Sequence, residues 1–235
     1  MRTGFSTACL YYADKKFIEK VQFYKALNTN AMELDLGPDF QLSDQLSNEI
    51  KKFEFISIHA PYNPEKYGSN STTKQFLKKL KDLTKRLPVK GIVFHPDNIS
   101  NLSVLEKSNL PILIENMDVE KKINTDVKYF EDLIRDYDFK FVLDIQHAYE
   151  YDDSMEFARD LVSTMGERLN HIHISGQTKD WRHNLIHISD NKQKITEFLK
   201  SEKLKVPKIL EGILLGDSGQ ILSNARKELD YIGSL

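Results

Sequence analysis

Apolar residues along this chain fall into two alternating patterns. Short runs of strand length occupy 4–8, 31–36, 55–59, 91–95, 111–115, 141–145, 171–174 and 208–212. Between them, apolar positions recur at three- and four-residue intervals, the period of a helix with one buried face. The clearest case is "TTKQFLKKLKDLTKRLP", where Phe76, Leu77, Leu80, Leu83 and Leu87 share one stripe and Pro88 stops the helix. Lys74, Lys78, Lys81 and Lys85 lie off that stripe and read as solvated surface. The same spacing predicts helices over 15–27, 42–53, 127–137, 155–165, 192–199 and 221–232, whereas 102–107 is too short to predict one.

Strand and helix therefore alternate about every 29 residues, with no linker, low-complexity stretch or shift in composition between them. This predicts a (β/α)8 TIM barrel occupying 1–235 as a single domain. An open doubly wound sheet commonly has fewer strands, and no GxGxxG or GxxxxGK[ST] turn follows any of the runs.

Composition narrows the chemistry. With 40% hydrophobic residues among 235, the chain builds a full core. A net charge of −2 lacks the strong positive field of a protein that holds nucleic acid mainly by electrostatics. Cys9 is the only cysteine, which excludes an internal disulfide and a Cys-rich zinc site and leaves His and carboxylates as metal ligands. The opening "TGFSTACLYYA" reads as a first strand rather than a signal peptide, and no apolar run approaches the roughly 20 residues that span a bilayer. No membrane association and a cytoplasmic location are expected.

The polar residues at the strand ends carry the functional signal. All seven histidines lie on or beyond a predicted strand, and none lies on a predicted helix. The third run is "FISIHAPY", the fourth "GIVFHPD", the fifth "PILIENMD", the seventh "HIHIS" and the eighth "KILEGIL". The sixth ends in Asp144, with His147 beyond. In a barrel these ends converge on one mouth. Carboxylates such as Glu115, Asp144 and Glu211 crowded there repel one another unless a cation compensates, and mixed imidazole and carboxylate ligands suit zinc, iron or manganese. His171 and His187 are read as structural, and Glu33 and Asp35 stay unassigned.

The ordered set "IHAPY", "VFHPD", "IEN", "DIQHA" and "ILEG" resembles the zinc-dependent endonuclease IV family (AP endonuclease family 2) of the xylose isomerase-like barrel superfamily, over about Gly4 to Leu214. The resemblance implies a trinuclear zinc site. His59, His95 and Glu115 hold one ion; Glu115 bridges to a second, also held by Asp144, His173 and Glu211; His147 and His183 serve a third. The family's Asp-Arg-His is replaced here by Trp181, Arg182 and His183, so the third ion lacks its carboxylate unless Asp180 substitutes. Two or three Zn2+ are therefore expected. Tyr62 matches a tyrosine that the family sets against DNA, and Trp181 and Arg182 are substrate-binding candidates.

The first expectation is a zinc phosphodiester hydrolase, of DNA with abasic sites or of a small phosphoester, and so a role in DNA repair. The alternative is a metal-dependent isomerase or epimerase of a sugar or sugar phosphate. It would use one Mn2+ or Mg2+ on Glu115, Asp144, His173 and Glu211, with Glu115 and Glu211 as the catalytic pair exchanging a proton. A barrel that keeps the ligands only as a binding module is the third reading.

Overall fold

The computed structural model describes residues 2–37, 40–121, 123 and 125–235. In chain order the elements are β1 (Thr3–Ser6), α1 (Phe17–Ala26), β2 (Ala31–Asp35), α2 (Asp44–Ile50), β3 (Phe55–His59), α3 (Ser71–Arg86), β4 (Gly91–Phe94), α4 (Leu102–Glu106), β5 (Ile112–Glu115) and α5 (Val127–Asp136). They continue as β6 (Lys140–Asp144), α6 (Ile145–Tyr151), α7 (Glu156–Met165), β7 (Leu169–Ile174), β8 (Gly176–Thr178), β9 (Trp181–Asn184), α8 (Lys192–Glu202), β10 (Lys208–Leu210) and α9 (Ser218–Gly233).

Eight parallel strands close in the order β1-β10-β7-β6-β5-β4-β3-β2, so the chain is a (β/α)8 barrel, as the alternation predicts. Strand side chains point alternately to opposite faces, and this separates two layers of core. Outward residues such as Met32, Leu34, Ile56, Ile58, Phe94 and Phe141 join one large cluster with the helices. Inward residues form the small clusters Ala31/Phe55/Ile209 and Val93/Leu113/Val142, which fill the barrel below its mouth.

The structure adds elements that periodicity did not announce. The helix α6 starts directly on β6, because the Asp144 side chain accepts from the His147 backbone N–H at 2.8 Å and caps the first turn. His147 therefore sits on a helix, contrary to the expectation that no histidine would. Only Ile145 and Ala148 among its apolar residues are buried, which is too short a stripe to read. The loop after β7 folds into the antiparallel hairpin β8–β9, carrying Trp181, Arg182 and His183 over the mouth. The segment 102–106 is a short helix, capped by Asn101.

Two local devices set the register. Between β6 and β7 the pairing steps from Phe141↔Leu169 to Val142↔His171, so Asn170 is an extra residue on β7. That step aligns His173 with Asp144 and turns both strand histidines inward. At Gly4, paired with Ala31, an added Cβ would lie 1.7 Å from the Ala31 carbonyl oxygen. A Gly4→Ala variant must displace a strand backbone, and should lose roughly 2–4 kcal/mol of stability in denaturant titration.

Candidate metal centre

The site is built in tiers up the inner wall. Its lowest tier holds Glu33 on β2, Ser57 on β3 and His171 on β7, all fully buried. Glu33 Oε2 accepts from Ser57 Oγ at 2.8 Å and lies 3.2 Å from His171 Nε2 and 3.3 Å from His173 Nε2. One step up, His173 presents its other nitrogen, Nδ1, 3.1 Å from Glu115 Oε1 and 3.4 Å from Glu211 Oε2. At the mouth, His59 Nε2 and His95 Nε2 approach the opposite carboxylate oxygen, Glu115 Oε2, at 3.4 and 3.2 Å.

Asp144 is positioned from two sides. Asn116 pairs with its main chain, Oδ1 accepting from Asp144 N at 2.7 Å and Nδ2 donating to Asp144 O at 2.9 Å. One carboxylate oxygen caps α6, and the other, Oδ2, is left without a hydrogen-bond partner. His147 donates from Nδ1 to the Asn116 carbonyl at 2.9 Å, which leaves Nε2 turned toward Asp144 Oδ2 at 3.8 Å.

Glu33, Glu115, Asp144 and Glu211 thus share the interior of one barrel, and the protein compensates them with imidazoles. Burial works against the charge on His59, yet the Glu115 carboxylate beside it, with Glu33 and Glu211 nearby, holds the ring up to about 9. His173 is likewise raised, against burial, by Glu211, Glu33 and Glu115. Glu33 and Glu115 are held low despite burial, chiefly by the charge of His173. Glu211 goes the other way: burial, with Glu115, Asp144 and Glu33 near it and His173 in opposition, pushes its carboxyl up to about 8.

The donor set fits divalent cations. Glu115 Oε2 and Asp144 Oδ2 are buried acceptors without a hydrogen-bond partner, although imidazole nitrogens stand 3.2 to 3.4 Å from the first of them. Ligand atoms about 3.3 Å apart are the edges of a tetrahedron with bonds near 2.0–2.1 Å. Ligating atoms converge in His59/His95/Glu115 and in Glu115/Asp144/His173/Glu211, with Glu115 common to both. A third convergence, Glu33/His171/His173, lies beneath them.

The remaining candidates stand apart from these groups. The His147 and His183 rings are 5.5 Å apart and edge to face, and His183 Nδ1 lies 3.3 Å from Ser175 Oγ. His183 has φ of 50°, a left-handed conformation uncommon outside glycine and concentrated at functional positions. Asp180 is exposed at the hairpin turn. Trp181 and Arg182 line the mouth cavity of about 430 Å³, together with His59, His95, Glu115 and Glu211. Tyr62 is 76% exposed and lies outside that lining. Arg182 is engaged by carboxylates, with Nη1 2.8 Å from Glu120 Oε2 and Nε 2.9 Å from Glu150 Oε1. His187 turns from the mouth to Glu228, a fully buried carboxylate that also accepts from the Ile186 and His187 backbone N–H groups.

Sequence reasoning left Glu33 unassigned and missed Ser57 and Asn116. A signal for Glu33 was present: in "AMELDL" the apolar Met32, Leu34 and Leu36 alternate with it, which places it on the inward face with Asp35. Nothing in the sequence showed that Asn116 reaches across to β6.

No protein-family model and no curated protein sequence matches the chain. Solved structures do match its fold. A D-tagatose 3-epimerase-like protein has a TM-score of 0.74 at 18% identity, over 100% of this chain and 96% of that one. Endonuclease IV from Thermus thermophilus has a TM-score of 0.73 at 18% identity, over 100% of both chains. An L-ribulose 3-epimerase has a TM-score of 0.71 at 12% identity, over 99% and 93%. The chain is thus similar in fold both to endonuclease IV and to sugar epimerases. Among the described residues no helix is long and apolar enough to cross a membrane.

The charge arrangement dictates a pH response. His59, raised from 6.5 to about 9, contributes stability that is complete below 6.5 and lost as pH rises through about 9. Glu211, raised from 4.5 to about 8, contributes stability that erodes from 4.5 upward and is gone above about 8. Both act in one direction. The metal-free protein should melt at progressively lower temperature from pH 6.5 to 8, and saturating Zn2+ should flatten the decline because ions replace the protons. Thermal melts across that range, with and without Zn2+, check this.

Proposed function

We propose that the chain is a divalent-metal-dependent hydrolase of phosphoesters that works with two Zn2+ ions. What supports this reading is the use of both oxygens of Glu115. Oε1 faces His173, within the group shared with Asp144 and Glu211, while Oε2 faces His59 and His95, a separate pair of imidazoles. A one-ion sugar isomerase leaves that second pair without a role. When bound, such ions supply Lewis acidity toward a phosphoryl oxygen and toward water.

The chain's own residues supply the rest. Glu211 lines the cavity, and as a carboxylate beside the ligand group it is placed to take a proton from an attacking water. Trp181 walls one side. Lys121, 4.0 Å from Asp97, is the lining cation best placed to meet a phosphate, because Arg182 is already engaged. Abasic-site DNA is the substrate to test first, and a small phosphoester the next.

One observation favours the second reading, a sugar or sugar-phosphate epimerase. The cavity of about 430 Å³ is of small-molecule size, and the engaged Arg182 leaves its rim poor in free positive charge. There Glu115, Asp144, His173 and Glu211 would hold one Mn2+ or Mg2+, and Glu115 and Glu211 would exchange the substrate proton.

Metal analysis separates the two. Protein purified without added metal should carry two Zn2+ per chain, and His95→Ala should carry one and lose at least about 100-fold in turnover of an abasic-site oligonucleotide. A single Mn2+ or Mg2+ with sugar epimerisation would establish the second reading. Unchanged ion content and turnover in His95→Ala would overturn the two-ion hydrolase.

A further inference from the structure

The lowest tier of the barrel is not needed to complete either ligand group, yet it carries a buried carboxylate and a buried imidazole aimed at His173. Three atoms meet there at nearly equal spacing. His171 Nε2 lies 3.2 Å from His173 Nε2 and 3.2 Å from Glu33 Oε2, and His173 Nε2 lies 3.3 Å from Glu33 Oε2.

The hydrogen-bond inventory fixes what each atom can do. Asn170 Nδ2 donates to the Lys90 carbonyl at 3.4 Å, so its Oδ1 is the atom facing His171 Nδ1 at 2.9 Å. His171 therefore donates from Nδ1, and in its neutral form offers Nε2 as an acceptor. Glu33 Oε2 already accepts from Ser57 Oγ at 2.8 Å and has no proton to give when ionised. Only a proton on His173 Nε2 satisfies this arrangement, since it points at two acceptors at once. With that proton fixed on Nε2, the proton that Nδ1 carries toward Glu115 and Glu211 in the metal-free protein is the one a metal ion would displace.

We propose that Glu33 is a positioning residue: by accepting from His173 Nε2–H, with the Ser57 hydroxyl holding it in register, it fixes the ring so that Nδ1 presents its lone pair to the metal centre. A carboxylate behind a ligating imidazole orients the ring and raises its basicity, and loss of such a partner typically weakens metal affinity 10–100-fold. The inference rests on the metal reading above, but not on which reaction the centre performs.

The test uses the full chain and Zn2+ competed against a chelator at pH 7.5. Glu33→Gln should keep the wild-type ion count at saturating Zn2+ and bind the ion at His173 on the order of 10–100-fold more weakly. Nitrogen NMR of the metal-loaded wild type should show His173 protonated at Nε2 and coordinated through Nδ1. Should Glu33→Gln fail to fold, Ser57→Ala removes only the hydroxyl that anchors Glu33, and should weaken binding by about threefold or more. Unaltered affinity in a folded Glu33→Gln protein, or in Ser57→Ala as the fallback, would overturn the proposal. So would coordination through His173 Nε2 with one ion fewer in Glu33→Gln, which would make Glu33 a ligand of a buried ion. A wild-type chain that holds no divalent ion would overturn the metal reading itself, and this one with it.

Discussion

Four carboxylates confined to the inside of one small barrel are the constraint around which the rest of this molecule is arranged. Ionised acids in an apolar wall are tolerated only with compensating positive charge. His59 and His95 approach Glu115, His147 approaches Asp144, and His171 approaches Glu33. His173 is the centre of this arrangement, with contacts to Glu33 on one nitrogen and to Glu115 and Glu211 on the other. Protons can balance the acids in part, but they leave Glu115 Oε2 and Asp144 Oδ2 unpartnered. Divalent cations would balance them in the positions where the ligands already point.

The fold serves this constraint directly. Parallel strands bring residues from separate segments to one level, so that Asp35 pairs in register with His59, Glu115 with Val142, and Asp144 with His173. The outer layer of helices supplies most of the apolar burial, which frees the upper barrel interior to carry charge. Interior hydrophobic contacts are reduced to two clusters of three residues each near the lower end. Stability and chemistry are therefore divided between the two faces of the same strands.

Much of this was legible in the sequence because a barrel strand announces itself as an apolar run ending in a polar residue. The runs at 55–59 and 111–115 end where β3 and β5 end, at His59 and Glu115. The long stripe through Leu77, Leu80 and Leu83 likewise became α3. What stayed hidden depends on contacts across the barrel or on very short elements. The helix α6 has too few apolar positions to show a period, and the β8–β9 hairpin consists largely of polar residues. The role of Glu33 depends on the distance between β2 and β7, which no local pattern records. Tyr62, named from the resemblance as a substrate contact, is exposed and lies outside the cavity lining.

The extra residue at Asn170 has a consequence for how this strand tolerates change. Without it, the two-residue alternation would bring Ile172 level with Asp144 and send both imidazoles into the greasy layer under the helices. A whole strand's worth of chemistry therefore hinges on one irregular step. Descendants of this chain can exchange side chains along β7 more freely than they can gain or lose a single codon there.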